Sequence, residues 1–242
     1  MHRRSTRPAH RGHFDASDMD PEEVPIVPVT PEDEAWFQAR LELTRSLAAD
    51  DDDGPPSSAP PDAGILFLDL DDVVCLACPF GGRDALDAVT AKRLDPERVY
   101  ERLLHPPAVQ VLTQLHTEMQ GRIRYVISST WRQFLTRSQL RHVLAQAGLS
   151  TVANCMENRT RWATPVLPEH DRHQEIGAWL ALHHRGEPYA IVDDLWSGSS
   201  LEGSLAPPWR IVLCEEDVGL QPRHLSVLAH ALRTPKGEHE YW

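Results

Sequence analysis

The chain has 242 residues, 41% of them hydrophobic, and a formal charge of −12. That length suits one substantial domain with extras, and the four cysteines exclude a disulfide framework. No apolar stretch approaches the roughly 18–20 residues needed to cross a bilayer, so no membrane span is expected. The acidity is uneven: residues 1–62 hold 14 acids against 6 Lys/Arg, and the remainder 22 against 18. A phosphate-bearing or nucleic-acid partner is therefore not excluded for the larger part. The opening MHRRSTRPAHRGHF is basic but lacks an apolar core, unlike a secretory signal, and acids from Asp15 onward argue against an organellar leader. A cytoplasmic protein is expected.

In chain order, residues 1–30 are polar, dotted with proline and without periodicity, which predicts disorder. Thr30-Pro31-Glu32-Asp33-Glu34 predicts a helix start: an N-cap, proline at N1 and acids in the first turn. That helix would reach about Ala49, with Trp36, Phe37, Leu41, Leu43 and Leu47 on an imperfect apolar face that docks on the core or binds a protein partner. Asp50–Asp62 has the composition of a linker, which makes 1–62 an N-terminal region, 63–235 the main domain and 236–242 a tail.

The main domain alternates between short apolar runs and amphipathic stretches. Strands are predicted at Ile65–Leu70, Ile123–Ser128, Tyr189–Asp193 and Arg210–Cys214. Between them, 30 residues from Leu76 to His105 contain Gly81-Gly82 and a short helical pattern near Pro96–Leu104. Helices are predicted at Pro106–Gln120, Thr136–Ala147 with Gly148 as the C-cap, Asp171–His184 and Pro222–Arg233, while Thr151–Asp171 reads as irregular. Strands separated by helices predict an α/β fold: a doubly wound, mainly parallel, Rossmann-like sheet in a three-layer sandwich.

The first strand run, GILFLDLDDVV, empties into Asp69, Asp71 and Asp72. Carboxylates at the C-terminal end of a buried parallel strand lie where such sheets bind ligands. Acids this close need a cation, a shared proton or deep solvation. The second strand ends in Ser128-Ser129-Thr130, the third in Asp193-Asp194, and Arg172 opens the helix before the third. Parallel strands share one C-terminal edge, so Asp69, Asp71, Ser128 and Asp194 can meet there. Arg132, Arg137 and Arg141 read as a solvated helix face or as a path for a polyanion. Trp131 and Trp179 read as packing residues. Cys75-Leu-Ala-Cys78 has the spacing of half a zinc site, with no second pair at a matching interval.

In these motifs and their order the chain resembles the haloacid dehalogenase-like (HAD) phosphohydrolase superfamily. The likeness rests on Asp69-Leu70-Asp71-Asp72-Val73, on YVIS ending at Ser128, on Arg172, and on AIVDD ending at Asp193-Asp194. ISSTWR, RHQEIGAWL and the segment from Gly219 to Leu232 are similar in texture to the HAD domains of Swiss Army Knife RNA-repair proteins. The resemblance implies a phosphomonoesterase in which Asp69 forms an aspartyl-phosphate and Asp71 serves as general acid and base. Ser128, with Ser129 as the alternative, and Arg172, with Arg159, Arg161 or Lys92 as alternatives, would hold the phosphoryl group. Mg²⁺ would sit on Asp69, the Asp71 carbonyl and the Asp193/Asp194 pair, with Asp194 favoured as ligand and Asp193 behind it or on Arg172. It also implies a minimal cap and an open site for a nucleic-acid end, a nucleotide or a small phosphate ester. The alternatives are a catalytically weak binding module of the same fold, or a phosphotransferase.

Overall fold

A computed structural model describes residues 55–92, 95–167, 171–202, 204, 206–235 and 237. The disorder expected over 1–30, the helix expected to end near Ala49 and nearly all of the tail lie outside the described residues. Among these residues, four strands form one sheet: β1 (Gly64–Leu68), β2 (Ile123–Ile127), β3 (Tyr189–Asp194) and β4 (Ile211–Cys214). Their order is β2-β1-β3-β4 and every neighbouring pair is parallel. Among the described residues, seven α-helices accompany them: α1 (Gly82–Val89), α2 (Pro96–Leu103), α3 (Pro106–Glu118), α4 (Arg137–Gln146), α5 (Ser150–Cys155), α6 (Arg172–His183) and α7 (Leu225–Arg233).

Period-two alternation divides each strand between two apolar layers. Leu66, Leu68, Tyr125, Ile127, Ala190 and Val192 face the larger layer, which gathers α1 to α5 and α7. Ile65, Phe67, Val126, Tyr189 and Ile191 face the smaller layer, built on Ile176, Trp179 and Leu180 of α6. There Trp179 meets Phe67 edge-on, with ring centroids 5.2 Å apart. The sheet is thus buried on both faces, as its uninterrupted apolar runs predict.

Several boundaries differ from expectation for identifiable reasons. β1 stops at Leu68, because the Leu70 carbonyl accepts from the N–H groups of Val73 (3.4 Å), Val74 (3.0 Å) and Cys75 (2.9 Å) and turns the chain. Arg210 precedes β4 instead of opening it. Its buried guanidinium donates to the carbonyls of Tyr189, Ala231, Thr234 and Pro235, tying β3 to the end of α7. The insert after β1 holds an unexpected helix, α1, and both α1 and α2 bury residues in the core. Thr151–Asp171 is less irregular than expected: it contains most of α5, and Met156 and Ala163 bridge to β2.

Residues 55–62 of the expected linker are tied to the domain. Ser57 N–H donates to Asn158 Oδ1 at 2.6 Å and Ser58 N–H to the Asn154 carbonyl at 2.8 Å. Arg137 and Arg141 are buried and donate to the Pro55 carbonyl. Arg132 is buried as well. Neither the solvated face nor the polyanion path stands, because these guanidiniums serve as internal cross-links. Among the described residues, no helix is long and apolar enough to cross a membrane.

Candidate active site

The sheet order places the site. Chain direction across the sheet reverses between β1 and β3, which makes a crevice at their C-terminal ends. Leu68 is level with Ile127 on one side and Val192 on the other. The next residues of the three strands, Asp69, Ser128 and Asp193, therefore stand side by side. Their backbones are tied across this level: Ser128 N–H donates to the Leu68 carbonyl and Asp69 N–H to the Val192 carbonyl, both at 3.0 Å.

Asp69 is 2% exposed and Asp193 fully buried. Carboxylate oxygens of Asp69, Asp193 and Asp194 lie within 4.8 Å of one another. Burial, the Asp193 charge and, less strongly, those of Asp71 and Asp194 raise the Asp69 pKa well above the usual carboxylate range, against the pull of Arg172. Asp193 is also raised, by burial first and by Asp194, with Arg172 again opposing.

Arg172 is the cation in this cluster. It opens α6 directly after the N-cap Asp171, which accepts from Gln174 N–H. Nη2 lies 3.3 Å from Asp69 Oδ1, Nε 2.6 Å from Asp193 Oδ2 and Nη1 3.2 Å from Glu175 Oε2. The Nε contact is close without being aligned as a hydrogen bond. Nη1 also donates to the Ser128 carbonyl. Burial works against the Arg172 charge, but Asp193, Asp69 and Glu175 outweigh it and raise its pKa.

Asp71 belongs to a separate arrangement. Half-buried within the turn, its Oδ1 accepts from Trp131 Nε1 at 2.8 Å and its Oδ2 from Thr130 Oγ1 at 3.1 Å. Burial raises its pKa while these two donors hold it back. Asp194 is fixed by the turn that follows it: Oδ1 accepts from Trp196 N–H (2.7 Å) and Ser197 N–H (2.9 Å), and Oδ2 from Ser197 Oγ. Asp72 takes a left-handed conformation, φ 51°, and lines a cavity of about 580 Å³ with Asp71 and Asp194. A second cavity, of about 500 Å³, runs past Thr130, Arg172 and Ser197.

The structure therefore brings together Asp69, Ser128, Arg172, Asp193 and Asp194, with Asp71 at the rim. Trp131 is packed as expected, at 1% exposure, but its donor role went unread. An indole N–H has a partner only once the fold exists; the available signal was its position three residues after Ser128. Gly82 makes room for the ring, since a Cβ there would lie 2.7 Å from Trp131 Nε1. Glu175, 1% exposed and shared by Arg172 and Arg132, was also missed.

The donor set suits a hard divalent cation. It consists of three carboxylates on rigid strand ends, and among them Asp69 Oδ2 is buried with no hydrogen-bond partner. The Ser128 hydroxyl beside it is likewise buried and unpartnered. Cys75 and Cys78 diverge: Cys75 is buried with its thiol 3.4 Å from the Phe80 carbonyl, and Cys78 is exposed.

A family model described as the HAD domain in Swiss Army Knife RNA repair proteins matches residues 65–225. No curated protein and no solved structure matches the chain.

Proposed function

We propose that this chain, which belongs to the family of HAD domains in Swiss Army Knife RNA repair proteins, is a Mg²⁺-dependent phosphomonoesterase acting on phosphorylated nucleic-acid ends or nucleotides. The observation that carries the reading is the separation of two acids. Asp69 is sunk among Asp193, Asp194 and Arg172, while Asp71 is held apart by Trp131 and Thr130. That separation supports assigning phosphorus to Asp69 and the leaving oxygen to Asp71.

Asp69 attacks phosphorus and forms an acyl-phosphate bond as the ester P–O bond breaks. Asp71 gives its proton to the departing oxygen. It then takes a proton from the water that hydrolyses the acyl phosphate, regenerating Asp69 and releasing phosphate. Burial favours the protonated form that Asp71 needs for the first step. Ser128 Oγ donates to a phosphoryl oxygen, and Arg172 keeps Asp69 oriented and offsets charge on the transferring group. Asp69, Asp194 and the Asp71 carbonyl would hold Mg²⁺, with Asp193 turned to Arg172. When bound, the ion supplies the positive charge that lets a carboxylate approach an anionic ester.

The test is phosphate release from nucleotides, phosphorylated RNA and DNA ends, sugar phosphates and phosphopeptides, with Mg²⁺ and with chelator. Mg²⁺-dependent release favouring nucleotides or ends is expected, together with a rise in melting temperature on adding Mg²⁺ alone, as crowded carboxylates gain a counter-charge. Release that survives chelation, with no thermal response, contradicts the proposal.

Trp131→Phe tests the placing of Asp71. It removes one donor to the carboxylate, so the Asp71 pKa rises further. The alkaline limb of kcat/KM, where the proton donor is lost, should move to higher pH than in the parent protein. A limb that stays put or moves down denies Asp71 the acid role.

A further inference from the structure

Trp196 is 91% exposed, the most exposed large apolar side chain among the described residues. A ring of that size is seldom left in water without a partner to meet. It follows Asp194 by two residues, so its Cα lies within about 7.6 Å of the Asp194 Cα. It lines both cavities that flank the acidic centre.

Its mount is rigid. Trp196 N–H is held on Asp194 Oδ1 at 2.7 Å, and Gly198 N–H on the Asp194 carbonyl at 3.0 Å. A Cβ at Gly198 would lie 2.6 Å from that carbonyl, so the turn cannot loosen around a larger residue. The backbone beneath the ring is fixed, so ordering it costs a ligand only the ring's two side-chain torsions.

The surroundings select the ligand. A protein-binding hot spot needs a wide, dry apolar margin, whereas Trp196 has one exposed apolar neighbour in these cavities, Leu195 at 47%, and otherwise stands among Asp72, Asp194, Glu216, Ser197 and Ser199. That margin suits a flat ring with polar edges whose phosphate enters the acidic centre. The margin is also too acidic for a long polyanion track, and Arg132, Arg137 and Arg141 are committed to the interior. We propose that Trp196 is the stacking platform for the base of the nucleotide that carries the scissile phosphate, with Ser199 along the same cavity meeting a polar edge. The inference rests on the phosphatase reading and narrows its substrate to a nucleoside monophosphate unit, free or at a single-stranded end.

The test compares the full chain with Trp196→Ala and Trp196→Phe. It reads the ratio of kcat/KM for adenosine monophosphate, and for a short end-phosphorylated single-stranded RNA, to kcat/KM for glycerol phosphate. Trp196→Ala should lower the ratio by about 5- to 150-fold, mainly through KM, and Trp196→Phe should restore most of it. The substrate with the larger drop identifies whether the unit is free or terminal. A second arm measures adenosine monophosphate binding by calorimetry, with Mg²⁺, to Asp71→Asn protein with and without Trp196→Ala. Weaker binding without Trp196 supports the platform even if the parent releases no phosphate, in which case only the phosphatase reading fails. An unchanged ratio with unchanged binding overturns the platform while leaving phosphate release standing. So does a Trp196-dependent protein contact without any nucleotide preference.

Discussion

Asp69→Asn should abolish Mg²⁺-dependent phosphate release without unfolding the protein. Asparagine keeps the volume and polarity of a buried side chain but removes both the negative charge and the nucleophile. In the free protein that charge is unwelcome, since burial and the neighbouring Asp193 disfavour it and Arg172 compensates only in part. Arg172 retains Asp193 and Glu175 as partners after the substitution. The melting temperature in the absence of Mg²⁺ should therefore equal or exceed that of the parent while activity disappears, as expected where function holds a site under strain. Asp71→Asn should reduce turnover by about 10²–10⁴-fold, the range for a positioned proton donor. On the phosphorylation step its effect should be smallest for esters with good leaving groups, which need little help from an acid, while hydrolysis of the acyl phosphate should slow for every substrate.

The second large effect lies outside the chemistry. Arg132→Ala should destabilise the domain by about 3–5 kcal/mol, the usual cost of breaking one side of a buried ion pair. Arg132 Nη2 lies 2.6 Å from Glu175 Oε2, Nε donates to the Thr164 carbonyl at 3.0 Å, and Nη1 donates to the carbonyls of Ser128 and Ser129. Its loss leaves Glu175, 1% exposed, with a weaker claim on Arg172 and frees the backbone where β2 ends. For a domain of this size the melting temperature should fall by about 6–20 °C. A shift below about 2 °C would mean that Arg132 is solvated, as the sequence alone suggested.

The strands and the helices α3, α4, α6 and α7 were legible because each carries a periodic apolar signal long enough to stand out. The first helix was not: its buried face is only Ala85 and Ala88, and it begins at a Gly-Gly pair that reads as a break. The turn after β1 was hidden for another reason, since three N–H groups converging on the Leu70 carbonyl leave no mark on composition. The site acids were visible as residue types at strand ends, and parallel topology predicts that Asp69, Asp71, Ser128 and Asp194 can meet; strand register, which composition does not show, sets Asp193 beside Asp69 and Ser128. Their partners were not visible. Trp131 reaches Asp71 across 60 residues and Arg141 reaches Pro55 across 86, so their roles exist only in the folded chain. Buried arginines mislead a sequence reading most, because charge predicts solvent while a guanidinium can be satisfied by carbonyls.

The central claim is that Asp69 becomes covalently phosphorylated. Acid-quenching the protein during turnover of a phosphate-labelled nucleotide, then locating the label by peptide mass analysis, tests it directly. The account predicts a base-labile phosphoryl group on Asp69, dependent on Mg²⁺, absent from Asp69→Asn and slower to decay in Asp71→Asn. Label on another residue, or steady release from a protein in which Asp69 is never labelled, would contradict it.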